Sequence, residues 1–246
     1  MTVSNTPGNL PHAPRRYLRP PAPLFFPDEE LVPETGFHLR VRTALFLVLE
    51  RELRGRAYVG SDQFLYWDAT NPKVCLAPDI LVRNGGPLEI LRSYKTWEHG
   101  APHLAVEIVS SSDHRDRYWS RNLERYRRTG IAEVVRFDPE DETTPLRLWD
   151  NVEGDVVERD LSDPEGLRCD ALGAYWSVVP DAELGLTLRL ARNRDGTELW
   201  LTPEEAESLA RATGSAERAE KEAERAAKEA ALARIAELER ELARRS

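Results

Sequence analysis

Two hydrophobic periodicities organise the centre of this chain of 246 residues. From Gly36 to Arg54, apolar residues recur on one broad face with arginines opposite, which predicts an amphipathic helix that Gly55 ends. A second helix is predicted from a cap within Ser110–Asp113 to about Thr129, where Gly130 stops it. Short apolar and β-branched runs bounded by turn residues predict strands. These runs are Arg56–Gly60, Gln63–Trp67, Val74–Arg83, Leu104–Val109, Ala132–Phe137, Leu146–Trp149, Val156–Asp160 and Leu186–Ala191. The order helix, meander, strand, helix, strand predicts an α/β domain with a mixed sheet flanked by helices, over residues 34–202.

The two ends of the chain differ in composition from this centre. Residues 1–33 contain eight of the 17 prolines, which predicts an extended or disordered arm, because proline cannot donate to a helix or a ladder. Residues 203–246 are rich in Ala, Glu, Arg and Lys, which predicts a long C-terminal helix that Gly214 could interrupt. Its end shows coiled-coil spacing at Ala231, Ile235, Leu238 and Leu242. A dimerisation stalk and a solvated single helix both remain open.

Charge and cysteine content narrow the class of protein. The formal net charge of −9 argues against strong non-specific affinity for DNA. From Asp113 to Arg128, however, six arginines face three acids, so one helix is locally basic. Cys75 and Cys169 form no metal or redox motif. The N-terminus lacks a signal-peptide pattern. No apolar run approaches the roughly 18 residues of a membrane span. These features predict a cytoplasmic protein without a membrane partner.

Two acids stand in or beside apolar strands. Asp79 precedes the run Ile80–Val82, and Glu107 lies within Leu104–Val109. Burying a carboxylate is costly unless a cation or hydrogen-bond donors meet it. Two such acids on neighbouring strands suit a magnesium ion, which favours oxygen ligands. The alternative is that Asp79 caps a turn after Pro78 and Glu107 meets an arginine.

The order of several short motifs resembles the Uma2 family, which belongs to the PD-(D/E)xK nuclease superfamily. The motifs are Pro78-Asp79, Val106-Glu107-Ile108-Val109-Ser110-Ser111-Ser112, Tyr126-Arg127-Arg128-Thr129-Gly130-Ile131-Ala132-Glu133 and Phe137-Asp138-Pro139. The resemblance covers about Gly36 to Trp200. It implies a restriction-endonuclease-like fold that hydrolyses DNA with Mg²⁺, or with Mn²⁺. It also implies that Asp79, Glu107 and the carbonyl of Ile108 hold the metal.

The chain departs from the family at the catalytic lysine. The superfamily places a lysine two residues after the glutamate, where this chain has Val109, and the Uma2 family places it in the next helix, four residues before the tyrosine. Counting back from Tyr126 gives Asn122, whereas counting forward from the serine run gives Arg121. Arginine keeps its proton and is a poor base, and asparagine orients water without supplying charge.

The first helix contains one further candidate from the resemblance. Superfamily members often place another acid on a comparable helix near the metal. Here the helix begins near His38 and includes Glu50. Glu50 is therefore a candidate ligand, and a surface acid among arginines is the alternative.

The resemblance therefore implies a magnesium-dependent endodeoxyribonuclease, with Asp79, Glu107 and either Arg121 or Asn122 in the site. A rival hypothesis is a catalytically degenerate nuclease fold that binds nucleic acid or protein, which the missing lysine favours. A homodimer, formed through the core domain or through the C-terminal helix, is the predicted assembly.

Overall fold

A computed structural model describes residues 35–86, 89–109 and 116–245. The predicted arm at residues 1–33 and the predicted cap at residues 110–113 lie outside the described residues. Four helices occur in the described part of the chain. They are α1 (Gly36–Glu52), α2 (Thr96–His99), α3 (Asp116–Thr129) and α4 (Pro203–Arg245). The bounds of α1 and the end of α3 follow the sequence predictions closely, because a glycine lies just beyond each helix.

Six strands form the main sheet. They are β1 (Ala57–Ser61), β4 (Ile80–Asn84), β6 (Leu104–Ile108), β7 (Glu133–Phe137), β8 (Leu146–Val152) and β9 (Asp155–Glu158), in the spatial order β1-β4-β6-β7-β8-β9. The pair β6–β7 is parallel, with α3 as the crossover, and the other pairs are antiparallel. The predicted α/β class, with a mixed sheet flanked by helices, is confirmed.

Two small sheets of three strands each were not predicted. One consists of β3 (Cys75–Leu76), β2 (Leu65–Tyr66) and β5 (Tyr94–Lys95), and the other of β10 (Arg168–Cys169), β11 (Ala174–Asp181) and β12 (Gly185–Ala191). The predicted strand Val74–Arg83 is therefore wrong as one element. Residues 77–79 separate β3 from β4, because Pro78 has no N–H for a ladder and the two halves pair in different sheets.

The main sheet is covered on both faces. Along β6, Leu104, Val106 and Ile108 pack in the same core as Val41 and Leu45 of α1. Ala105 faces the other side, in a cluster with Trp119 and Tyr126 of α3. Since side chains alternate along a strand, Glu107 shares the α3 face with Ala105. The fold therefore brings α1 and α3 to opposite faces of the strand that holds the predicted glutamate.

The long C-terminal helix is confirmed, and it continues through Gly214 without a break. Thr202 and Glu205 form a capping box at its start: the N–H of Glu205 donates to Thr202 Oγ1 at 3.2 Å, and the N–H of Thr202 donates to Glu205 Oε2 at 2.8 Å. Most of its described side chains are exposed, among them Leu209 and Leu232. No helix among the described residues combines the length and apolar character that crossing a bilayer requires.

Candidate metal centre

Asp79 and Glu107 lie at the same end of the β4–β6 pair. Ile80 stands opposite Val106 in the antiparallel register, so the next position along brings Asp79 opposite Glu107. Residues directly opposite each other in an antiparallel pair project to the same face, with Cβ atoms about 5 Å apart. The strand pairing therefore directs both acids toward one region.

Two backbone contacts hold Asp79 at this end of the sheet. The N–H of Ile108 donates to Asp79 Oδ2 at 2.7 Å, and the N–H of Asp62 donates to the Asp79 carbonyl at 3.2 Å. Asp79 is buried, with 9% of its surface exposed. Its carboxylate is thus satisfied in part by the strand that contains Glu107, and the neighbouring carbonyl of Ile108 lies beside it.

His38 is the third group at this point, and the sequence analysis did not identify it as a site residue. Its Nε2 atom lies 3.2 Å from each carboxylate oxygen of Asp79 and 2.9 Å from the carbonyl oxygen of Ile108. The carbonyl oxygen accepts only, so Nε2 carries the proton that makes this contact. His38 lies in the first turn of α1, which Thr35 caps by accepting from the His38 N–H at 3.2 Å.

One sequence signal could have identified His38. It precedes Val41 by three residues and Leu45 by seven, so it lies on the buried face of the helix. A histidine on such a face needs a polar partner. The sequence does not specify which partner, because Asp79 and Ile108 are 41 and 70 residues away.

Glu107 is bound by Tyr126 of α3. The Tyr126 hydroxyl donates to Glu107 Oε1, and the Tyr126 side chain is fully buried. Burial raises the pKa of Tyr126 well above its usual value of 10.0, and the negative charges of Glu107 and Asp79 raise it further. The phenol is therefore a protonated donor, and both carboxylates lie near it.

Helix α3 presents Asn122 and Arg121 differently. Asn122 is buried and lies one turn before Tyr126, on the same helical face, whereas Arg121 is exposed. Arg125 donates to Asn122 Oδ1 at 3.5 Å and to the carbonyl of Cys75. Arg127 and Arg128 instead engage Glu124 at 2.8 and 3.1 Å. Part of the predicted basic character of this helix is therefore neutralised at its surface.

The donor groups at this point suit a divalent cation. Within the described part of the chain, no three His, Cys, Asp or Glu side chains converge closely enough to hold a metal ion by themselves. Two side chains, His38 and Asp79, converge here with the Ile108 carbonyl. Glu107, which precedes Ile108 in the chain, is held by Tyr126. Carboxylate, carbonyl and imidazole are all established ligand types for first-row divalent metals.

Two other acids named by the sequence patterns lie apart from these groups. Glu50 is exposed near the far end of α1. Glu133 is buried, but it accepts from Trp176 Nε1 at 3.1 Å and pairs with Arg159 at 3.5 Å. Burial raises the pKa of Glu133, and the positive charge of Arg159 opposes that rise. Glu133 therefore joins the main sheet to β11 and has a structural role.

Comparisons with known proteins place the chain in a family. No curated protein matches it. A solved structure from Anabaena variabilis, described as a putative nuclease belonging to DUF820, shares 16% identity, with a TM-score of 0.40 over 62% of this chain and 75% of that chain. The Uma2 family model, described as "Putative restriction endonuclease", matches residues 25–181, which is well over half of the chain. The chain therefore belongs to the Uma2 family of restriction-endonuclease-like proteins.

Proposed function

We propose that this protein is a divalent-metal-dependent endonuclease that hydrolyses phosphodiester bonds of DNA. The observation that supports the proposal is the hydrogen bond from the N–H of Ile108 to Asp79, next to Glu107 at one end of the β4–β6 pair, in a chain of this family. When bound there, Mg²⁺ or Mn²⁺ supplies Lewis-acid stabilisation of the phosphate and lowers the pKa of an attacking water.

The protein's own groups have distinct proposed tasks. Asp79 and the Ile108 carbonyl bind the cation, and Glu107 completes the oxygen ligands while Tyr126 fixes its orientation. Asn122 is the proposed group that orients the attacking water, because it is buried on the Tyr126 face of α3, whereas Arg121 is exposed to solvent. An amide can orient water by donating and accepting, but it supplies no charge.

The experiment is a cleavage assay on supercoiled, linear duplex and single-stranded DNA, with Mg²⁺, Mn²⁺ or a chelator. Wild-type protein should cleave at least one of these substrates when metal is present, and Asp79→Ala, purified identically, should not. Cleavage that persists in the chelator, or in Asp79→Ala, would contradict the proposed site.

A second function has one specific observation in its favour. Neither Val109, at the superfamily's lysine position, nor Asn122 or Arg121, at the family's position, is a lysine. This favours a degenerate nuclease fold that binds nucleic acid or a protein without cleaving it. Absence of cleavage, together with DNA binding that resists the chelator, would support this alternative.

We propose in addition that the protein forms a homodimer, with α4 as its contact. Leu209, Leu232 and Leu238 are exposed along this helix of 43 residues. Removing residues 203–246 should change the assembly from two chains to one, as measured by light scattering in solution. A truncated protein that still has the mass of two chains would instead indicate a core-domain interface.

A further inference from the structure

The position of His38 among three oxygens has the dimensions of a metal coordination sphere. Ligand atoms about 2.1 Å from an octahedral ion are separated from their neighbours by about 3.0 Å, since an octahedron's edge is √2 times its radius. His38 Nε2 lies 2.9 Å from the Ile108 carbonyl oxygen and 3.2 Å from both Asp79 oxygens. These separations are hydrogen-bond lengths, and they also match those between neighbouring ligands of one ion.

The surroundings keep the imidazole in this place. His38 is in the first turn of a capped helix whose next two buried residues on that face, Val41 and Leu45, are 1% and 3% exposed. The His38 side chain is itself 14% exposed. The position of α1 therefore places the ring beside Asp79 and the Ile108 carbonyl, and part of the side chain remains exposed to solvent.

We propose that His38 is a metal ligand, and that its nitrogen makes this site select Mn²⁺ over Mg²⁺. The inference deepens the proposed function and rests on it for the Asp79 and Ile108 ligands. Mg²⁺ favours oxygen ligands and keeps several waters, whereas imidazole binds first-row transition metals well. In the metal-bound form Nε2 offers its lone pair, so the ring proton resides on Nδ1.

The alternative is that the His38 imidazole occupies the position of the cation and opposes metal binding. Its Nε2–H already donates to oxygens that a metal would use. The two models predict opposite effects of removing the ring. If the imidazole is a ligand, removing it weakens Mn²⁺ binding. If the imidazole competes with the cation, removing it strengthens Mn²⁺ binding.

The test measures metal binding to the full chain by isothermal titration calorimetry without DNA. Wild type should bind Mn²⁺ at least about tenfold more tightly than Mg²⁺. His38→Ala should weaken Mn²⁺ binding by about ten- to a hundredfold and Mg²⁺ binding by much less. His38→Asp, which supplies an oxygen ligand, should bind Mg²⁺ at least as tightly as wild type does. The matched control is His99→Ala, since His99 packs on Tyr94 outside the site. Thermal unfolding of each variant checks that the fold is retained.

A spectroscopic measurement separates ligation from a structural effect. Electron spin-echo modulation of Mn²⁺-loaded protein should show an imidazole nitrogen in wild type and His99→Ala, and lose it in His38→Ala. Unchanged or tighter Mn²⁺ binding in His38→Ala, or absence of the nitrogen signal in wild type, would overturn the role of His38. Metal binding with the nitrogen signal but no DNA cleavage would uphold His38 and overturn the nuclease function alone.

Discussion

The buried hydroxyl of Tyr126 donates a hydrogen bond to Glu107 Oε1, and this bond joins helix α3 to strand β6 beside Asp79. The phenol keeps its proton because burial and two nearby carboxylates raise its pKa. An oxygen of Glu107 therefore has a fixed neutral donor. The orientation of the predicted ligand depends on a helix that begins after it in the chain.

Replacing this tyrosine tests the orienting role. Tyr126→Phe removes one hydrogen bond to a charged group, which should lower the free energy of unfolding by about 2 kcal/mol. It should also weaken metal binding and slow cleavage by about tenfold, because Glu107 loses its orientation. Calorimetric metal affinity and urea unfolding measure the two effects. Loss of stability with unchanged metal affinity would show that the bond is only structural.

Glu107→Gln tests the charge itself. The amide keeps the shape and can still accept from Tyr126, but it removes the negative charge that a divalent cation requires. We expect metal-dependent cleavage to fall by more than about a hundredfold, with a melting temperature close to that of wild type. A variant that cleaves as fast as wild type, after contaminating nucleases are excluded, would reject Glu107 as a ligand.

Two lysine variants test the group that replaces the family lysine. Asn122→Lys places an ammonium on the helical face of Tyr126, where it can stabilise the negative charge that develops on the reacting phosphate. We expect it to raise cleavage by about tenfold or more. Arg121→Lys is the matched control, because position 121 is exposed and should leave the rate near that of wild type. A faster Arg121→Lys, with Asn122→Lys inert, would reverse this assignment.

Glu133 gives a prediction about stability that is separate from the site. Glu133→Ala leaves Arg159 without one of its carboxylate partners and Trp176 Nε1 without its acceptor, both in a buried region. Because Arg159 keeps Asp150, the main cost is the unsatisfied Trp176 Nε1, about 1 to 3 kcal/mol. Equilibrium unfolding should show this loss, while the folded fraction should bind Mn²⁺ as wild type does. Weakened metal binding in folded protein would connect Glu133 to the site.

Tyr94 predicts how stability depends on alkaline pH. Burial raises the pKa of Tyr94 from 10.0 to about 12. The folded protein therefore holds this proton at pH values where the unfolded chain releases it. The contribution of Tyr94 to the free energy of unfolding is complete below pH 10.0 and is lost as the pH rises through about 12. Urea unfolding at a series of alkaline pH values should show this decline, and Tyr94→Phe should flatten it. An equal slope in both proteins would contradict the assignment to Tyr94.

Local patterns in the sequence were sufficient for the main elements of the fold. The apolar face of α1, the glycine after α3 and the short apolar runs of β6 and β7 are local signals, so the predicted α1, the end of α3 and the central strands agree with the structure. The small sheets were missed as units, although β2 and β12 lie within the predicted strands Gln63–Trp67 and Leu186–Ala191. Strands β5 and β10 have only two residues each and show no periodicity, and β11 was not predicted. Their existence depends on partners elsewhere in the chain.

The sequence by itself determined an α/β nuclease-like chain and named Asp79, Glu107, Arg121 and Asn122 as candidates. The tertiary structure decided that Asn122 shares the buried face of Tyr126, that Arg121 is exposed, and that His38 meets Asp79 and the Ile108 carbonyl. Periodicity specifies which face of an element is buried. Which polar group it meets depends on strand register and helix packing between residues far apart in sequence, and these are fixed only when the core has formed.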